Sequence, residues 1–434
     1  MFSFLSMNLK SLFEHIRHSK LYRDSFWAVF GNGLGNALLL VAGIVIARLL
    51  GKDLYGEYGV VKTTMFQVAA FSTFGLGYTS TKYIAQYVGE NTACLREITK
   101  SVLKISSISS CILCVLLVLF SEPLARFVNA PQLAIPFKFL GFIVITRAMS
   151  TVCSGLISGY KRFKEQGIFN IISGVSLLIL APVLTFFFGL IGSLIALLIS
   201  QLLLSSLYLF FLFKIYKQLP ESNEELFVGK IIRFSLPVAM QEFTFAISHW
   251  GATLLLTKYS SLGEVGIFSA TAQWNSVIMF VPMLLSSVVL SYLSGISAKK
   301  EHNSMVYRVL LINFICVLIP FTIVLICSKW ICSMYGPTFI GMRSVLNVFM
   351  VCTILSVLAR VFQNDLISRE KNWLLFELRA GRDVVCLLSL YFMLKLTSGV
   401  HAALHYAMLV VVLDIIFLLV LAGLFYFQQV KSNR

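Results

Sequence analysis

Apolar positions dominate the chain and come in long blocks. They cover residues 25–49, 58–88, 101–120, 135–158, 168–188, 190–213, 231–256, 265–295, 305–327, 342–366, 373–395 and 400–428. Each block is about 20 residues or longer, the length that crosses a bilayer as a helix. Backbone groups in lipid must be bonded within their own segment, so such blocks predict helices. Twelve spans are expected, the fifth and sixth joined at Gly189 as a tight helical hairpin. The expected fold class is an all-α polytopic membrane protein.

Composition agrees. Of 434 residues, 58% are hydrophobic and 12% charged, with a mean hydropathy of +0.87. A soluble domain carries about 25% charged residues. The net charge of +16 invites a nucleic-acid reading, but the placement of the bases explains it better. Counting the N-terminal side as side one, 22 Lys and Arg fall on side one, 8 on side two and five (Lys62, Arg147, Arg360, Arg379 and Arg382) within spans. The positive-inside rule makes side one cytoplasmic, with both termini there. No nucleic-acid partner is expected. Met1–Asp24 holds Lys10, Arg17, Lys20 and Arg23 without a continuous apolar run, so no cleavable signal peptide is expected. Leu5, Leu9, Leu12 and Ile16 recur at helical spacing, as in a helix lying in the interface.

A polar island, Arg48–Gly59, joins the first two spans. Gly56, Glu57 and Gly59 in it align with Gly263, Glu264 and Gly266 at an offset of 207. The same offset aligns Ser121 with Ser328, Phe142 with Phe349, Arg162 with Arg369, Lys164 with Lys371 and Phe169 with Phe376. Six helices separate each pair, so the halves share one orientation, as in carriers built from parallel repeats. The expected division is an interfacial segment 1–24, a six-helix bundle 25–213, a charged linker 214–230, a second bundle 231–428 and a tail 429–434.

These residues also carry a family likeness. Ala47-Arg48-Leu49-Leu50-Gly51, Tyr55-Gly56 and Tyr58 lead to Gly75-Leu76-Gly77 and Thr81-Lys82-Tyr83-Ile84-Ala85, with Ser158-Gly159-Tyr160-Lys161-Arg162 ending the fourth span. The pattern resembles the Wzx-type O-antigen or polysaccharide-unit flippases, within the multidrug/oligosaccharidyl-lipid/polysaccharide exporter superfamily. The resemblance implies a V-shaped carrier of two bundles in the bacterial inner membrane. It would move an undecaprenyl-diphosphate-linked oligosaccharide from the cytoplasmic to the periplasmic leaflet. It also implies the polymerase and chain-length regulator of the same pathway as partners. Two alternatives stand beside it: a multidrug/cation antiporter of the same superfamily, and a membrane polysaccharide polymerase or glycosyltransferase. The enzyme reading is weakened by the longest non-cytoplasmic connection, about 121–134, which is too short for catalytic machinery.

A charge near the bilayer centre costs about 2.5–3.5 kcal/mol on insertion scales, so each embedded one needs a reason. Arg147 lies midway along the fourth span, and Ser150, Thr151, Ser154 and Ser158 continue one polar stripe on that helix. The stripe suits a water-filled lumen; hydroxyls that glue helices together are the other reading. Arg360, Arg379 and Arg382 lie in the tenth and eleventh spans. A guanidinium fork suits a diphosphate, although Arg360 and Arg379 are also near enough to the interface to snorkel. Arg379 and Asp383 are i, i+4 and can pair, which leaves Arg382 without a local partner. Lys62 is expected to snorkel at the periplasmic end. Asn32 and Asn36 share a face of the first span and can meet substrate, while Gly31 and Gly35 offer a small face for close helix packing. Glu242, Asp383 and Asp414 are candidates for coupling to H⁺ or Na⁺, with pairing to an arginine as the plainer role. Pro237 suits a hinge in the seventh span.

No cofactor is expected. His401 and His405 are i, i+4 but lack the glutamate of a zinc-protease motif, and no metal site is read there. Cys111 and Cys114 have no second pair to form a metal or redox site, and Cys327 and Cys332 lie near one loop, where a disulfide between them is conceivable. No P-loop or nucleophile elbow occurs, so transport without an ATPase is expected, and no enzyme.

Overall fold

The computed structural model describes residues 20–88, 92–220, 227–295, 299–369 and 371–433. The interfacial helix expected before residue 20 lies outside them. Twelve α-helices and no strand are present among the described residues: α1 Lys20–Thr73, α2 Leu76–Tyr87, α3 Thr92–Leu119, α4 Ser121–Phe127, α5 Ala134–Gly159, α6 Phe163–Tyr216, α7 Phe227–Tyr259, α8 Leu262–Gly295, α9 Lys299–Tyr335, α10 Met342–Ser368, α11 Asn372–Leu396 and α12 Ala402–Asn433. Seven continuous helical stretches are long and apolar enough to cross a membrane by length and composition.

The helices and the expected spans do not correspond one to one. Helix α1 runs through the first two spans with a kink at Gly51, whose φ of 71° and ψ of 172° are open to glycine and little else. Helix α6 runs through the fifth and sixth with a kink at Gly189 (φ 55°, ψ −134°). A Cβ at Gly189 would meet nothing within 4 Å, so the glycine is needed there for its backbone and not for space. The second span is instead broken at Phe74 and Gly75, both with positive φ, and resumes as α2. Helix α4 is too short to span. Counting α1 and α6 as two passes each, and α2 as the end of the second, the chain makes twelve passes.

In lipid, helices gain little from excluding water and are held by close packing and hydrogen bonds. Small residues supply the first. Gly31 and Gly35 of α1 lie against Gly167 and Asn170 of α6, close enough that a Cβ on Gly31 would stand 2.5 Å from the Gly167 Cα. The outward faces carry exposed Phe186, Phe187, Ile326, Trp330 and Leu396, as the hydrocarbon requires. All nine cysteines are free thiols, so Cys327 and Cys332 are not bonded.

The buried apolar residues form one large cluster and two smaller ones. The large cluster takes residues from both halves of the chain, among them Tyr55, Tyr58, Phe137, Val265, Tyr335 and Leu346. It lies at the end that holds the Gly51 kink, here the elbow end. Toward the other end, where most Lys and Arg sit, the core divides. One part holds Leu95, Ile98, Leu156 and Leu212 of the first half. The other holds Val309, Val361, Phe362 and Leu421 of the second. The core is thus continuous across the halves at the elbow end and divides at the basic end, where Ile231 of the second half still packs into the first part.

Candidate functional site

The halves meet along two helix pairs. The second span runs antiparallel to α7: Trp250 Nε1 donates to Thr64 Oγ1 at 3.1 Å, Gln67 Nε2 lies 3.4 Å from His249 Nδ1, and Phe71 and Phe74 pack edge-on to Phe243. The Thr79 and Ser235 hydroxyls close this seam at the basic end, 2.7 Å apart. The first span meets α8 at the elbow, where Gly43 lies against the Gln273 side chain and Gly56 against Leu262 and Gly266. Beyond this contact, toward the basic end, α1 leaves Val41, Asn36, Leu34 and Phe30 exposed.

Polar groups within the membrane-spanning region form one cluster in each half. In the first, the Arg147 guanidinium on α5 lies over the Phe66 ring, 4.6 Å from its centre. Lys62, one turn before Phe66 on α1, is close enough for the two like charges to interact. Both side chains are partly exposed, and among the described residues neither forms an ion pair. Lys62 and Arg147 thus place two cations near Phe66, on neighbouring helices. Behind them the Tyr208 hydroxyl contacts Ser154 and donates to Asn170 Oδ1 at 2.8 Å, and Asn170 in turn donates to Asn32.

The polar stripe after Arg147 divides into two uses. The Ser150 and Thr151 hydroxyls turn back onto the Arg147 carbonyl, both at 2.9 Å. Ser154 and Ser158 are bridged by Gln166 of α6, at 2.6 and 3.1 Å. Half of the stripe's hydroxyls therefore tie α5 to α6, and the other half bond within α5. Asn32 joins this network, whereas Asn36 is exposed. Gln166, Asn170 and Tyr208 were not singled out from the sequence, and Lys62 was read only as a snorkelling side chain. Gln166 and Asn170 could have been, as an i, i+4 amide pair opening an otherwise apolar span.

The second cluster corrects the expected pairing. Arg382 is the best-partnered of the embedded arginines. Its Nη2 donates to Asp383 at 2.7 Å and its Nη1 to Asp414 at 3.2 Å, while Ser356 donates to the other oxygen of Asp414 at 3.1 Å. The guanidinium also covers Phe417. Asp383 is thereby taken by Arg382, and Arg379 donates instead to Gln363 of α10. The i, i+4 spacing failed as a guide because Asp414 on α12 draws Arg382 across the helix boundary, and the long side chain folds onto Asp383 on the way. Arg382, Asp383 and Asp414 thus tie α10, α11 and α12 together. Arg360 is different: its Nε has no hydrogen-bond partner, and the nearby polar group it senses is Tyr78 of α2, in the other half. Glu242 and Pro237 lie on α7, and their side chains are outside the described residues. Among the described residues no cluster of His, Cys, Asp and Glu is placed to hold a metal.

The chain is thus a helical membrane protein with two halves joined at one end and, among its described residues, cations within the spans that form no ion pair. The family model described as "Polysaccharide biosynthesis protein" matches residues 21–297, and the chain belongs to that family. Over 276 residues it is 24% identical to the succinoglycan biosynthesis transport protein ExoT of Rhizobium meliloti (strain 1021), a match covering 63% of this chain and 52% of that protein. The chain thus spans about half the length of this relative. Its fold is similar to that of a multidrug resistance MATE family transporter of the MOP superfamily in an inward-facing conformation. The TM-score there is 0.73 at 16% identity, covering 90% of this chain and 94% of the other. It is also similar to the lipid II flippase MurJ in an inward closed conformation, with a TM-score of 0.71 at 15% identity over 92% and 86% of the two chains. These three are, by name, a transport protein, a transporter and a flippase.

Proposed function

We propose that the protein flips an undecaprenyl-diphosphate-linked oligosaccharide, an O-antigen or related surface-polysaccharide repeat unit, from the cytoplasmic to the periplasmic leaflet of the bacterial inner membrane by alternating access. The observation that carries this reading is the Lys62–Arg147 pair: two adjacent cations within the spans, partly exposed, with no carboxylate to neutralise them among the described residues. Such a pair is stable when an anion visits it, and a guanidinium beside an ammonium suits a diphosphate. Arg360, facing Tyr78 across the halves, offers a third cation from the second bundle.

The charge asymmetry supports a topology with the basic end and both termini on the cytoplasmic side. The division into bundles 25–213 and 231–428 is supported by several pairs at the offset of 207. Asn129 and Gly336 both have positive φ, and the break at Gly75 corresponds to Pro282 within α8. The Gly43–Gln273 contact maps close to the Trp250–Thr64 contact when the halves are exchanged.

The antiporter alternative calls for free acids within the spans. Asp383 and Asp414, also the described candidates for H⁺ or Na⁺ coupling, are already satisfied by Arg382, which disfavours both roles. The test is a deletion strain: completed lipid-linked units should accumulate on the cytoplasmic leaflet and surface polysaccharide should be lost. A strain without redundant carriers that still displayed normal surface polysaccharide would sink the proposal.

A further inference from the structure

Helix α3 and the second half of α6 both pack extensively on α5, and they leave a groove between them. It encloses about 500 Å³, within the range of small-molecule sites. Its walls are almost wholly apolar: Leu103 on one side, and Leu209, Phe210 and Phe213 on the other. Phe210 and Phe213 are largely exposed, so the groove opens outward from the bundle and away from the Lys62–Arg147 cluster.

Its mouth at the basic end is cationic. Lys100 lines the groove and is well exposed, and Lys217 sits over the Phe213 ring, 4.6 Å from its centre. Arg96 covers Tyr216 at 4.9 Å and donates to the Leu219 carbonyl at 3.2 Å. Glu97 approaches Lys100 only at 3.9 Å, at the edge of ion-pair distance, and the lysine side chain stays 61% exposed. Lysines at helix ends snorkel as a rule. What distinguishes these is an open apolar groove directly below them, which gives the chain of a bound lipid a place while its headgroup meets the charges.

We propose that this groove is a site for one anionic phospholipid of the leaflet at the basic end, its acyl chain between α3 and α6 and its phosphate between Lys100 and Lys217. Basic pockets between helices on the cytoplasmic side capture anionic headgroups in this way. The position gives the site a consequence. Helix α6 ends at Tyr216, and the Arg96 bond to Leu219 fastens the start of the connection between the halves. A lipid seated here braces that joint, so anionic lipid should favour carrier function.

The test is native mass spectrometry of the full-length protein after delipidation, titrated separately with phosphatidylglycerol and phosphatidylethanolamine. One phosphatidylglycerol should bind roughly tenfold better than phosphatidylethanolamine, with each lysine supplying a several-fold share. The exposed double variant Lys100→Gln/Lys217→Gln should lose that preference with unchanged thermal unfolding. Leu209→Trp, which fills the slot, should remove the adduct itself. An excess of glycerol 3-phosphate should not displace the lipid, because it lacks the chain. Equal binding of the two phospholipids, a preference that survives the double lysine variant, or displacement by glycerol 3-phosphate would each overturn the proposal. Because the readout is binding, its failure is distinct from failure of the cargo proposed above.

Discussion

Gly56 and Gly266 meet backbone to backbone across the two halves. A Cβ on Gly56 would run into the Leu262 carbonyl and one on Gly266 into the Lys52 carbonyl, and each would stand 3.1 Å from the other glycine's nitrogen. The polar island that opened the sequence and its counterpart 207 residues later are therefore pressed against each other. Close approach of this kind needs glycine on both sides. We expect Gly56→Ala or Gly266→Ala to reduce transport by about tenfold or more at unchanged expression and membrane insertion, with Gly56→Val more severe. The effects of the two alanine changes should be less than additive, since either one separates the same surfaces. Surface polysaccharide measured against membrane-protein level checks this.

The proposed alternating access requires the elbow, closed in this structure, to part in another state. Asp53 and Gly263 face each other at that seam, where a Cβ on Gly263 would lie 2.6 Å from Asp53 Oδ1. In a background without the native cysteines, Asp53→Cys/Gly263→Cys should form a disulfide under mild oxidation. Transport should stop and return on reduction. Free transport by the fully crosslinked protein would show that the elbow does not open.

Arg147 and Lys62 should matter through their charge. Arg147→Ala is expected to abolish transport while the protein still inserts, and Arg147→Lys to restore part of it. Hydrogen bonds to charged groups contribute about 1.5–3 kcal/mol, so Lys62→Gln alone should weaken cargo binding by roughly ten- to a hundredfold. Arg360→Gln should weaken transport as well. A double-mutant cycle between Lys62 and Arg147, read from transport rates, should show coupling, as two groups on one anion would.

Arg382 should behave differently. Replacing it by Met leaves Asp383 and Asp414 buried without their partner, a change that destabilises by about 3–5 kcal/mol. A clear drop in thermal unfolding temperature is expected in detergent. The triple variant Arg382→Met/Asp383→Asn/Asp414→Asn should recover much of it. Transport by the recovered triple variant would confirm a structural role for all three residues; stable but inactive protein would return them to the cargo path or to ion coupling.

Much of the architecture was legible because the relevant physics is local. A run of apolar residues long enough to cross the bilayer is a span whatever it packs against, and the distribution of Lys and Arg among the loops requires no tertiary contact to be counted. The kink at Gly189 and the turn at Gly51 were legible for the same reason, since a glycine between two apolar runs marks where the chain reverses. The break at Phe74 was not, because Phe carries no turn signal and its positive φ is imposed by its surroundings.

Side-chain roles were less legible. Spacing along one helix suggested that Arg379 would take Asp383 and leave Arg382 free, yet Arg382 took both aspartates because α12 lies beside α11. It left Lys62 as an anchor at a helix end, yet α5 brings Arg147 beside it. It made Arg48–Gly59 a connection between the first two spans, yet that stretch is also where the halves join. The sequence by itself determined the membrane class, the number of passes and the family, because hydropathy and glycine placement act within a segment. The tertiary structure decided which embedded charges are neutralised and which stand open to an anion, because charge pairing depends on which helices are neighbours and on how they face each other.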